Sequence, residues 1–293
     1  MICMAVLLFM SHAQTAEPRT EAYQLVPDFP RLPAGWSLGA VSGVATDSKR
    51  DVLVFHRGEH PILVFDRDGK FLRSFGDGMF ASAHGLRVDP KDNIWVTDNA
   101  AHTAIKFNHD GKVLMTLGEK NVAGEDATHF NKPTDIAFAP NGDFYVSDGY
   151  GNSRVVKFNK DGKFLMTWGK KGSGPGEFNL PHAIRLDAGR VYVGDRENDR
   201  VQVFDTDGKF LRQFGGFAPF GLFITPDQTV FVADGRANKI LKMTLDGKIL
   251  ASWGATGVEP GNFQMPHGLT VAADGSVYVS EINGKRVQKF VAR

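Results

Sequence analysis

The chain has 293 residues, 42% of them hydrophobic and 11% aromatic, with 34 basic and 33 acidic side chains for a formal net charge of +1. That composition supports a large packed core. No block of like charge interrupts it, which excludes a polyanion-binding footprint and leaves nucleic acid out of the expected partners.

In chain order, the first feature is an apolar run from Met1 to Met10 followed by Ser11-His12-Ala13, the pattern of a signal peptide with small residues before its cleavage point. Residues 1–16 are assigned to it, and a secreted or periplasmic protein is expected. The run, at about ten residues, is too short to span a bilayer. Cys3, the only cysteine, falls within it. The mature chain then has neither disulfide nor thiolate ligand, and any metal must be held by His, Asp or Glu. Glu21 to Val26 (EAYQLV) reads next as a short strand.

From Val41 onward one pattern recurs, beginning at Val41, Ala83, Pro133, Pro181, Pro219 and Pro266, at spacings of 42, 50, 48, 38 and 47 residues. Each repeat holds a short apolar strand (GLRVDP, DIAFAP, AIRLDA), a turn, and a strand ending in Asp or a near equivalent (IWVTD, FYVSD, VYVGD, VYVSE). A third strand (AIKFN, VVKFN, VQVFD) turns through Asp-Gly-Lys into a fourth (VLMTLG, FLMTWG, FLRQFG). Alternation with Asp-Gly and Asn-Gly turns is a hairpin signal. Four-stranded units at this period are propeller blades, so the expected fold is all-β, a six-bladed β-propeller over residues 17–293. The sixth repeat stops after its third strand, and the Glu21–Val26 strand is expected to complete that blade and close the ring. Asp98, Asp148, Asp195 and Asp234, with Arg154, Arg200, Lys239 and Arg286 after turns, make the repeats similar to NHL repeats, where such residues tie turns between strands.

Innermost strands line a propeller's channel, so one register of every repeat forms a ring around the axis. Just before the first strand's small residue that ring reads Ser42, His84, Thr134, His182, Phe220 and His267. The histidines fall in repeats 2, 4 and 6, about 120° apart in a six-blade ring. Three imidazoles can therefore meet on one ion and leave a fourth position open, as at a catalytic zinc; imidazoles equally suit copper, iron and nickel. A lone histidine at a turn is usually structural or solvated, but three at one register and none in the blades between favour a metal. His12, His56, His60, His102, His109 and His129 obey no such symmetry and are assigned no ligand role. A second ring, where the second strand leaves the channel, reads Arg57, Asn99, Gly149, Arg196, Gly235 and Ile282, with Tyr150 and Arg236 one residue on. Arg57 and Arg196 stand in opposite blades, where two guanidinium groups suit a carboxylate. Arginine at a strand end is also a common surface ion pair.

The segments from about Gly39 to Phe290, with Phe-His-Arg-Gly at 55–58, Ser-Asp-Gly-Tyr at 147–150, Asp-Arg-Glu-Asn at 195–198 and Met-Pro-His at 265–267, resemble the peptidyl-α-hydroxyglycine α-amidating lyases. The resemblance implies zinc on His84, His182 and His267, active-site roles for Tyr150, Arg57 and Arg196, and Met265 as a further substrate contact. It also implies cleavage of the N–Cα bond of a peptidyl-α-hydroxyglycine, or a related α-hydroxy-amide, to an amide and glyoxylate. The expected substrate is a small peptide or α-hydroxy-amide, and the expected state a monomer without a membrane span. The family's calcium contacts fall on the backbone carbonyls of Val44 and Leu86, but Gly268 stands where the family has an aspartate, which deprives that site of its carboxylate. Gly151 replaces a cysteine of the family, so that disulfide is absent. Two other readings remain: a metal-dependent propeller hydrolase or lactonase, whose sites usually include carboxylate ligands, and a non-catalytic NHL-repeat scaffold that binds proteins through its loops.

Overall fold

The computed structural model describes residues 23–293; the expected signal segment and the first two residues of the Glu21–Val26 strand lie outside the described residues. Six four-stranded antiparallel sheets form the blades of a β-propeller, and one 3-10 turn, Arg196–Asn198, is the only helical element among the described residues. The innermost strands, blades 1 to 6, are Ala40–Thr46, Ala83–Val88, Pro133–Phe138, Pro181–Asp187, Pro219–Ile224 and Pro266–Val271. In blade 6 the strand Tyr23–Val26 pairs antiparallel with Arg286–Ala292, from Tyr23 opposite Ala292 to Val26 opposite Lys289. The Tyr23 ring stacks on Trp253 of blade 5 at 4.4 Å. The first and last strands among the described residues thus share a sheet, which closes the ring.

The core lies between blades rather than within them. Leu53, Phe55 and Val64 of blade 1, for example, pack against Leu86, Ile94, Val96 and Phe107 of blade 2. Second strands such as Ile94–Asp98 and Phe144–Asp148 are buried along their whole length, because both of their faces meet a neighbouring blade. Outermost strands such as Phe164–Trp168 alternate between half-buried and exposed residues, as expected with one face in water. The Asp–Arg pairs of the repeats clamp loops. Arg154 pairs with Asp148 at 3.0 Å and donates to the His129 carbonyl at 2.7 Å, while Arg200 pairs with Asp195 at 2.8 Å and donates to the Glu177 carbonyl at 2.9 Å.

One local irregularity recurs in every blade. The register between first and second strands slips between Val41 and Gly43, Ala83 and Leu86, Pro133 and Asp135, Pro181 and Ala183, Pro219 and Gly221, and Pro266 and Gly268. In five blades the extra residue is therefore the ring residue itself, Ser42, Thr134, His182, Phe220 or His267, and in blade 2 His84 and Gly85 together face Thr97. A β-bulge leaves a residue unpaired in the ladder and re-aims its side chain, and here six bulges supply six side chains to one level of the axis.

Candidate metal centre and active site

His84, His182 and His267 are all buried and form a near-equilateral triangle, with ring centroids 4.8, 4.8 and 4.7 Å apart. Their candidate ligand atoms lie within 4.8 Å of one another. Each Nδ1 faces the backbone carbonyl of the next ring residue: His84 to Thr134 at 2.7 Å, His182 to Phe220 at 2.6 Å, and His267 to Ser42 at 2.7 Å. A carbonyl only accepts, so each Nδ1 carries the proton and donates, which leaves each Nε2 with its lone pair. Burial, ahead of every other cause, lowers the pKa of all three, to about 3 for His84, and the positive charge of Arg196 adds to the effect at each of them. Three neutral imidazoles with a fixed tautomer and converging lone pairs are a donor set suited to one transition-metal ion.

Tyr150, just past the second strand of blade 3, places its hydroxyl 3.2 Å from His84 Nε2 and 3.1 Å from His182 Nε2. Arg196 Nη1 donates to the same hydroxyl at 3.2 Å. The Arg196 guanidinium is held from three sides. Its Nε donates to Glu197 Oε1 at 2.8 Å, and its central carbon lies 4.6 Å from the centre of the Phe220 ring and 5.3 Å from that of Tyr150. Glu197 in turn pairs with Arg236 at 3.1 Å. Arg57, exposed at the end of the second strand of blade 1, donates through Nε to the Ala83 carbonyl at 3.0 Å, and its charge further disfavours protonation of His84 and His267. It borders a cavity of 570 Å³ with His56, Glu59, Asp77 and Phe80. Met265 borders another, of 510 Å³, with Glu197, Phe220, Arg236, Asn238 and Gln264. The first reaches Ala83, next to His84 in the chain, and the second reaches Phe220, whose ring lies 5.3 Å from that of His182. Beneath the histidines the channel is nearly filled: the cavity among His84, Thr134, His182, Phe220, His267 and Arg87 measures only 20 Å³, about enough for one water.

The structure therefore gathers His84, His182, His267, Tyr150 and Arg196 at one point, with Arg57 and Met265 bordering the adjoining cavities. His56 lies apart, between the Gly39 N–H at 3.0 Å and the His60 carbonyl at 3.1 Å. His109 sits 3.3 Å from Asp47, at the other end of the blade 1 inner strand. Phe220 and Glu197 were missed by sequence reasoning as contacts of Arg196, although Phe220 stands in the same ring register as the histidines. The fit to calcium fails. The Leu86 carbonyl accepts Arg87 Nη1 at 3.0 Å, and a Cβ at Gly268 would lie 2.9 Å from both Ser280 Oγ and the Ser42 carbonyl, which leaves no room there for a carboxylate-bearing side chain.

The NHL repeat pattern matches residues 130–158, 178–204 and 263–290, stretches that include the Asp–Arg or Glu–Arg pairs of blades 3, 4 and 6. The chain is 33% identical to peptidyl-glycine alpha-amidating monooxygenase A of Xenopus laevis over 86% of its own length and 32% of that protein, so it spans about a third of that relative. It is 32% identical to the "Probable peptidyl-alpha-hydroxyglycine alpha-amidating lyase" of Caenorhabditis elegans over 85% of this chain and 82% of that one. It is also 34% identical to NHL repeat-containing protein 3 of Mus musculus over 89% of this chain and 84% of that one. Among solved structures, a streptogramin B lyase superposes with a TM-score of 0.67 over 93% of this chain and 98% of that one, at 19% identity; this likeness concerns the fold alone.

Proposed function

The chain belongs to the peptidyl-α-hydroxyglycine α-amidating lyase family of NHL-repeat propellers, and from that premise we propose that it is a zinc-dependent carbon–nitrogen lyase that releases glyoxylate from a peptidyl-α-hydroxyglycine or a related α-hydroxy-amide. The observation that carries this reading is the position of Tyr150 Oη, within 3.2 Å of two ring histidines and of Arg196 Nη1. A phenol oxygen beside three converging imidazole lone pairs is within reach of the proton of a substrate hydroxyl held there.

His84, His182 and His267 would hold the ion. When bound, zinc supplies a Lewis acid that polarises the substrate's α-hydroxyl oxygen. Tyr150, reacting as its phenolate, takes the proton of that hydroxyl on Oη. The electrons left on oxygen form the C=O bond of glyoxylate as the N–Cα bond breaks, and the departing amide nitrogen takes that proton back from Tyr150 Oη to become the terminal amide. Arg196 sets a positive charge against Tyr150 Oη and orients it. Arg57, on the opposite side of the ring, is placed for the substrate carboxylate, which it can grip through two parallel hydrogen bonds. Met265 and Phe220 line the adjoining cavity, where the peptide portion finds apolar contact.

The reading is tested by glyoxylate release from a dansylated peptidyl-α-hydroxyglycine. Native protein should release it, and Tyr150→Phe should lower kcat by roughly 100-fold or more, the usual contribution of a positioned proton acceptor. Equal rates for native protein and Tyr150→Phe would remove the tyrosine from the chemistry. A zinc-loaded native protein that released no glyoxylate would redirect the search to hydrolase substrates.

A further inference from the structure

Deeper along the channel than the histidines, blade 3 departs from its neighbours. At the register where the other blades carry Gly43, Gly85, Ala183, Gly221 and Gly268, it carries Asp135, which is buried. Asp135 Oδ2 accepts Arg87 Nη2 from blade 2 at 2.7 Å, Arg185 Nη1 from blade 4 at 3.1 Å, and the Ile184 N–H at 3.1 Å. Its Oδ1 accepts the Ile136 N–H at 2.8 Å. The two guanidinium groups also cap carbonyls of their own strands, Arg87 Nη1 that of Leu86 at 3.0 Å and Arg185 Nη1 that of Ile184 at 2.6 Å. One carboxylate and two arginines thus tie three consecutive blades together next to the axis.

A calcium ion needs six to eight oxygen ligands and net negative charge around it. This level of the channel offers the reverse. Asp135 has four donors on its two oxygens, the Leu86 carbonyl faces a cation, the two arginines outweigh the single carboxylate, and the space beside Gly268 is taken by Ser280 Oγ and the Ser42 carbonyl. Burial lowers the Arg185 pKa to about 9, still high enough to keep it charged at neutral pH. Each guanidinium presents several donors in a fixed plane, so it can bridge a carboxylate and a carbonyl on adjacent blades as a metal ion bridges oxygens.

We propose that the Arg87–Asp135–Arg185 cluster is the axial cation of this propeller, supplied by the chain itself, and that the ring holds its shape without calcium. None of its three residues has a part in the proposed lyase chemistry, so the inference stands or falls apart from the lyase reading.

The test is the melting temperature of zinc-loaded protein in calcium-depleted buffer and in the same buffer with calcium chloride, for the native chain, for Arg87→Met with Arg185→Met, and for Asp135→Asn. A ligand that binds only the folded state raises the melting temperature as its concentration grows. The native chain should melt at the same temperature in both buffers, within about 1 °C, and both variants should melt several degrees lower, since about 1 kcal/mol moves a domain of this size by roughly 2–4 °C. A variant that fails to fold counts with the expected destabilisation. A saturable rise of the native melting temperature with calcium would overturn the proposal. So would an Asp135→Asn chain that melts with the native one, because its two buried guanidinium groups would have lost their counter-charge without consequence.

Discussion

The Arg196 guanidinium lies over the face of Phe220, 4.6 Å from the ring centre, and this contact joins the one ring position of blade 5 to the arginine that reaches Tyr150. A cation over an aromatic face gains about 0.5–1 kcal/mol at an exposed site and up to about 2 when desolvated. Phe220→Leu keeps the apolar volume and removes the π face. We expect it to lower kcat by roughly 3–30-fold, the rate equivalent of about 0.7–2 kcal/mol, with a smaller change in KM. Steady-state kinetics of glyoxylate release read this directly; an unchanged kcat would mean that Glu197 and Tyr150 hold Arg196 without Phe220.

The three ring histidines also set how the metal-free protein responds to acid. Their folded pKa values are depressed, to about 3 for His84 and well below 6.5 for His182 and His267, whereas an unfolded histidine titrates near 6.5. As pH falls below about 6.5 the unfolded chain binds protons that the folded chain refuses. Stability is therefore fully present above that value and lost progressively as pH falls through the folded pKa, about 3 for His84. Each such histidine contributes a slope of about 1.4 kcal/mol per pH unit in that window. Urea unfolding of metal-free protein at pH 7, 6 and 5 should show the decline, and His84→Gln should reduce its slope by about that amount. Equal slopes for the two proteins would mean that His84 is not held neutral.

Close approach of the blades at the axis makes Gly85 sensitive. A Cβ there would lie 2.5 Å from the Thr134 carbonyl oxygen and 2.8 Å from Thr97 Oγ1, and the first of these atoms is the acceptor that orients His84. Gly85→Ala should cost about 1–3 kcal/mol, as overpacking does elsewhere. It should also weaken metal binding, because the His84 hydrogen bond must move. Melting temperature and zinc affinity, measured together, check both effects; a fall in stability with unaltered affinity would separate the packing from the orientation of His84.

Much of this was legible in the sequence because a propeller repeats its geometry. Once Val41, Ala83, Pro133, Pro181, Pro219 and Pro266 are aligned, a single register identifies the bulge residues, and the threefold placement of His84, His182 and His267 follows from counting blades. Tyr150 and Arg196 could be placed at the channel mouth by the same counting, and the structure sets them 3.2 Å apart. Contacts between blades were not legible. That Phe220 would lie against Arg196, or that Arg87 and Arg185 would both turn toward Asp135, depends on side-chain direction rather than register. In hindsight one signal was available: an aspartate in blade 3 at a position held by glycine or alanine in the others, flanked by arginine two residues further along the strand in blades 2 and 4.

The most direct test of the central claim, a lyase centred on the alternate-blade histidines, is glyoxylate release from a peptidyl-α-hydroxyglycine as zinc is returned to metal-stripped protein, with bound zinc counted in the same samples. Activity should rise in step with zinc and level off at one ion per chain, while His182→Ala should bind zinc weakly and remain inactive. Full activity in the stripped native protein, or undiminished activity in His182→Ala, would contradict it.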